Sequence, residues 1–300
     1  MRITLLLLIS TVVSCQTDKK TDCNYITDYY PIIYEADLEF EAENYEKAFE
    51  LYEVAFNSCK AKNTPTYNEI GNFAASSAIL GKFDITYEYA KKQIQNGLEL
   101  NRFQNNSAFD KFLSSDYGKK FISEYDNLRK DFIDNADLKL RDELIAMRDA
   151  DQIYFRSNNP EVKEKQDSID QLHEKRLIEI FESIGYPTDE MVGPHSRNFK
   201  VDLEILLLHT KDSIRMNYFI PKVKEFVKNG TASPKTLGRI IDQYYLYNGE
   251  PQIYGTIQNG EVSNPINDLE KVDSKRVSIG LPPLELRKKK DSINRLKYGN

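Results

Sequence analysis

Residues 138–156 read LKLRDELIAMRDADQIYFR, and the second half of the chain is organised around them. Leu140, Leu144, Met147, Asp151 and Phe155 fall on one stripe at helical spacing, flanked by Arg148 and Gln152. The helix therefore carries its apolar side into a carboxylate, an amide and a guanidinium. Burying such groups is costly unless each finds a partner. Either the last turns emerge into solvent, or Asp151, Gln152 and Arg156 enter a shared polar centre.

Downstream, a long helix is predicted from about Glu161 to Ile184, stopped by Gly185-Tyr186-Pro187. Phe199 to Thr210 is strongly apolar through Leu203, Ile205, Leu206, Leu207 and Leu208, and reaches His209 at its end. It is the best candidate for the central buried helix. Met216 to Val227 and Pro234 to Tyr247 read as two more helices, closed by Asn229-Gly230 and Asn248-Gly249. Then the pattern changes. Gln252 to Gln258 (QIYGTIQ) is rich in β-formers, and Asn259-Gly260 is the strongest short turn signal, so a small β-hairpin is expected. Arg287 to Lys290, with Arg295 and Lys297, form a basic tail over 287–300, read as a solvated helical end before a membrane-binding patch.

Upstream, residues 25–61 and 67–98 each read as a helical hairpin. Tyr45, Ala48, Phe49, Tyr52, Ala55 and Phe56 mark one second helix; Tyr87, Ala90 and Ile94 mark the other. The string NYEKAFELYEVAF resembles the second helix of a tetratricopeptide repeat, in which small residues allow close approach and aromatics fill the gaps. The offset from Tyr45 to Phe83 is 38 residues, against roughly 34 in the usual repeat. Such arrays present a groove to protein or peptide partners, or serve as a spacer. Residues 102–130 close the array.

Met1-Arg2, the apolar run from Ile3 to Val13, and Val12-Val13-Ser14-Cys15 resemble the signal and lipobox of bacterial lipoproteins. The run is too short for a spanning helix of about 20 residues. The resemblance implies cleavage before Cys15, its diacylation, and anchoring at the cell envelope, with the outer membrane favoured because Gln16 follows rather than Asp. Cys23 and Cys59 remain, and in an exported chain they can pair. A net charge of -6 argues against nucleic-acid binding. The organisation expected is a signal and lipobox over 1–15, a tether over 16–24, a tetratricopeptide-like domain over 25–132, a helical domain over 137–286, and the basic tail. The fold class is mainly α.

Within 137–286 a series of strings stands in order: Asp151-Gln152-x-x-x-Arg156, Asp170-x-x-His173, Gly185-Tyr186-Pro187, His209, Asp242, Gln252-x-Tyr254-Gly255-Thr256, Pro265-Ile266-x-Asp268 and Arg276-x-x-x-Gly280-Leu281. Together they resemble a bacterial domain family of unknown function, which implies no activity. The chain departs from that pattern at His173, Leu208, Gln243 and Ile257.

Among the three histidines there is no H-x-x-x-H or H-E-x-x-H spacing, and no phosphate-binding or nucleophile-elbow motif occurs, so no metal and no cofactor are expected. His209, with Asp151, is the candidate for proton transfer. Gln152, Arg156, Asp242, Gln252, Tyr254, Asp268 and Arg276 are the candidate ligand-binding residues. Two helices that each end in an ionisable group are expected to meet at one centre, with Asp151, Gln152 and Arg156 facing His209 and Gln252–Tyr254. Two functions fit: a polar pocket that binds or acts on a small anionic or peptide-like ligand, or a non-catalytic scaffold built on the repeats.

Overall fold

Small side chains set the geometry of the first hairpin. Ala36, Ala48 and Ala55 are fully buried between helices α1 (Tyr30–Glu41) and α2 (Tyr45–Ser58), whose axes can therefore approach closely. Asn44 closes the turn by donating from Nδ2 to Glu39 Oε2 at 2.7 Å. Helices α3 (Glu69–Ile79) and α4 (Phe83–Gln95) repeat the plan with buried Ala74, Ala78 and Ala90. Phe49 stacks on Phe73 across the two hairpins, ring centroids 4.8 Å apart. Helix α5 (Asp116–Asn135) then covers α4, packing Phe121 and Leu128 with Phe103, Phe109 and Phe112. Cys23 and Cys59 are bonded, with Cα atoms 5.6 Å apart, and tie the segment before α1 to the end of α2.

This computed structural model describes residues 23–64, 67–153, 159–194, 201–258 and 265–299. Cys15, Phe155, Arg156 and the Asn259-Gly260 turn, all singled out in the sequence, lie outside the described residues.

The C-terminal region is helical as well. Helix α6 (Leu138–Ile153) buries Leu140, Leu144 and Met147 against α7 (Pro160–Ser183) and the short α8 (Leu203–Leu208). Asp202 accepts Ile205 N–H at 3.1 Å and so caps α8, which is shorter than the Phe199–Thr210 helix expected. Helices α9 (Ile220–Lys228) and α10 (Pro234–Tyr247) follow, then α11 (Val272–Val277) and α12 (Leu284–Tyr298). The two regions share one core. Tyr25, Tyr29 and Tyr30 are buried in the same cluster as Val223, Val227 and Ala232, and Tyr30 Oη donates to Ala232 O at 3.3 Å. Gly230 makes the close approach possible, since a Cβ there would lie 2.5 Å from the Tyr25 ring.

The basic tail is helical, with Lys288, Lys289 and Arg295 exposed, and one side of α12 packs along α1, where Lys290 pairs with buried Asp37 and Lys297 Nζ lies 3.0 Å from Glu43 Oε1. The expected β-hairpin is corrected. Among the described residues there is no strand, and Gln252 and Ile266 form an isolated parallel bridge. The backbone N–H groups that a ladder would need are taken by a side chain, as described below. No helix of the described residues is long and apolar enough to cross a membrane.

Candidate functional site: an aspartate–histidine pair

The apolar stripe of α6 ends where the sequence placed the conflict. The Asp151 side chain is only 1% exposed, and its Oδ1 lies 2.6 Å from His209 Nδ1. Gln152 Nε2 donates to the other oxygen, Oδ2, at 2.5 Å. His209 is the capping residue at the end of α8, so two buried helices do meet through their ionisable ends. An ionised carboxylate only accepts, which places the imidazole proton on Nδ1 and leaves Nε2 as the basic nitrogen. Gln152 thereby holds the second oxygen of Asp151 through its amide nitrogen.

His173 on α7 stands near this pair. Burial holds its imidazole below the usual pKa of 6.5; Asp151 and Asp170 oppose that effect and His209 adds to it. Its buried Nδ1 has no hydrogen-bond partner among the described residues. The adjacent Glu174 accepts Lys211 N–H at 3.0 Å and fixes the turn that follows α8.

The remaining candidates gather elsewhere, around Asp242. This residue of α10 is fully buried. Its Oδ1 accepts the N–H groups of Ile253 and Tyr254, each at 2.8 Å, and its Oδ2 accepts Thr256 N–H at 2.7 Å and the Thr256 hydroxyl at 2.6 Å. All its acceptor sites are occupied by protein. Gln252 Oε1 accepts Ile257 N–H at 2.8 Å, and Gly255, at φ +65, sits where a Cβ would lie 2.5 Å from Ile266 Cδ1. Arg276 donates from Nη1 to Tyr254 O and from Nε to Pro282 O, both at 2.6 Å. Asp268 adopts φ +55 and lies 3.3 Å from Lys271 Nζ. These residues form a knot that folds the 252–257 loop. The described hydrogen bonds of Gln252 and Tyr254 run to Asp242, Arg276 and the local backbone, so the described candidates group around two carboxylate centres, Asp151 and Asp242.

Sequence reasoning missed Arg215. It is buried, donates from Nη2 to Leu208 O at 2.8 Å and Thr210 O at 2.5 Å, and from Nη1 to Gln243 Oε1 at 3.0 Å. It thus clamps the backbone on both sides of His209. The signal was present: Arg215 stands four residues before Phe219, on one stripe with Val223 and Val227. Gln243, one of the departures from the family pattern, is its partner. Through Gln243 and its neighbour Asp242 the two centres are joined along α10.

Two cavities open at the seam between the halves of the molecule. One, of about 270 Å³, has acidic walls supplied by Asp189, Glu190, Asp202 and Glu204. The other, of about 250 Å³, is lined by Tyr34, Tyr67, Arg276 and Arg287. Neither reaches Asp151 or His209. No group of three His, Cys, Asp or Glu side chains suited to a metal ion occurs among the described residues.

What these features define is a helical domain with one saturated polar knot and one Asp–His pair. Residues 137–294 match a family described as a family of unknown function (DUF6624), and the chain belongs to that family. The match takes in both centres and continues into α12, past the boundary at 286. No curated protein and no solved structure matches the chain.

Proposed function

We propose that the chain is a lipid-anchored protein of the cell envelope, held at the outer membrane through Cys15, whose C-terminal domain does acid–base chemistry on a small anionic or peptide-like ligand. The observation that carries this reading is the 2.6 Å contact of His209 with buried Asp151. Asp151 fixes the ring, Gln152 fixes Asp151, and Arg215 fixes the backbone on either side of His209. A basic Nε2 held in this way takes a proton from a hydroxyl or water and returns it to a leaving group. The test is turnover of chromogenic ester, amide and phosphoester probes by the purified chain. We expect His209→Ala and Asp151→Asn to abolish the same turnover while melting within a few degrees of the native protein. Turnover unchanged in both variants would remove the reading.

The scaffold reading is supported by the tetratricopeptide-like plan of α1–α4, with its buried alanines. The docking of α12 on α1 weighs against it, because this chain already covers part of that surface. On the scaffold reading His209→Ala destabilises the domain by about 1 kcal/mol or more and alters no turnover.

A further inference from the structure

Arg276 is 1% exposed, yet no carboxylate lies within ion-pair distance of its guanidinium among the described residues. Its two described acceptors are neutral carbonyls, on Tyr254 and Pro282, and Nη2 has no described protein acceptor. A guanidinium stays charged in proteins, so the charge must be met by something other than a lost proton. Burial, and after it the nearby Arg287, disfavour the cation, against smaller opposing effects of Tyr67, Asp273 and Asp242. Arg276 lines the seam cavity of about 250 Å³.

The opposite wall comes from the N-terminal half. Tyr34 and Tyr67 are more than nine-tenths buried, their rings are 5.8 Å apart, and both hydroxyls lack a hydrogen-bond partner among the described residues. Both phenols are close enough to Arg276 to feel its charge. Two orphaned buried donors and an unpaired buried cation around one cavity are separate violations of the rule that buried polar groups are satisfied. One ligand group would satisfy all three. Asp242 and Asp273 favour the cation from beyond ion-pair distance and are taken up by backbone N–H groups; Lys290 pairs with Asp37, and Asp291 lies 3.7 Å from Arg287 Nε. Arg287 Nη1 is held by Gly255 O at 2.9 Å, which positions a second guanidinium at the same cavity. Lys235 adds a further positive charge at the lining.

We propose that this cavity binds a small ligand through a single oxyanion group, a carboxylate or a phosphate, held by Arg276 and Arg287 from one half of the molecule and by the Tyr34 and Tyr67 hydroxyls from the other. Guanidinium groups and phenol hydroxyls are all donors, which suits an acceptor-only group. The ligand would join α1 to the C-terminal knot, so binding stabilises the whole chain. The site shares no residue with the Asp151–His209 pair, and failure of either proposal leaves the other standing.

The experiment is a thermal-melting titration of the full chain in mild detergent, at constant ionic strength, with inorganic phosphate in one arm and acetate in the other and chloride as the balancing ion. We expect a saturable rise in melting temperature in at least one arm; a stronger response to phosphate identifies a phosphorylated ligand, and a stronger response to acetate a carboxylate. Arg276 is left intact, because its bonds to Tyr254 and Pro282 hold the fold. The double variant Tyr34→Phe/Tyr67→Phe should melt no lower than the native chain without added anion, since it removes two unsatisfied hydroxyls, and should bind the anion about tenfold more weakly. Arg287→Gln should weaken binding to a similar degree. No saturable shift in either arm overturns the proposal, and so does a shift that both variants leave unchanged.

Discussion

The carboxylate of Asp242 accepts three backbone N–H groups and a hydroxyl, while that of Asp151 accepts one side-chain amide and one imidazole. Both are buried, both belong to one domain, and both stand on helices whose neighbouring faces are core. The difference lies in what each leaves over. Asp242 has no acceptor site left, and its partners are the backbone of a loop, so its effect ends in architecture. Asp151 passes its charge to a ring that has a second nitrogen, so its effect continues to His209 Nε2. A buried carboxylate in a polar motif is therefore not by itself a sign of chemistry; the partner that it orients decides.

The largest effect that follows from this contrast is at Asp242. Asp242→Ala orphans three backbone donors, each worth roughly 1–3 kcal/mol when buried and unsatisfied, and with partial rehydration the expected loss is about 4 kcal/mol. Urea denaturation checks it, and a loss below about 1 kcal/mol would erase the contrast. Arg215→Met should cost about 2–3 kcal/mol, because the carbonyls of Leu208 and Thr210 and the Gln243 amide lose their donor together. It should also loosen His209, read as broadening of the His209 imidazole signals.

Asp151→Asn comes next. The amide is of similar shape and keeps an acceptor, so the expected loss is only about 1 kcal/mol, well below that at Asp242. A larger loss at Asp151 than at Asp242 would reverse the assignment of roles. The smallest effect is at His173. Burial lowers its pKa in the folded chain, so as pH falls below about 6.5 the unfolded chain takes up the proton first and stability is lost. His173→Asn should remove that decline while leaving stability at pH 8 unchanged, as measured by melting temperature against pH. A decline of the same size in the variant would locate the titration elsewhere.

The meeting of Asp151 with His209 was legible because each ends a run of apolar residues at helical spacing, and burial of the run carries the polar end inward with it. The strand expected over 252–258 does not form, for a non-local reason. Its β-formers and turn are local signals, but Ile253, Tyr254 and Thr256 give their N–H groups to Asp242, which stands on a helix before them. Propensity was overridden by one carboxylate. The docking of α12 was equally hidden, since Lys290 and Asp37 are 253 positions apart and each looked like an ordinary surface charge. Arg215 is within reach of the same stripe argument that finds Asp151, but it stands one position before the helix predicted over 216–227.

The central claim is that His209 presents a basic Nε2 because Asp151 holds the proton on Nδ1. Long-range proton–nitrogen NMR of the labelled imidazole at pH 7.5 tests it directly. In the native chain we predict His209 with a protonated Nδ1 and an unprotonated Nε2, and a change of that tautomer balance in Asp151→Asn, with the fold retained. A native His209 protonated on Nε2, with Nδ1 accepting from a neutral Asp151, would contradict the account, for the basic nitrogen would then be the one turned to Asp151.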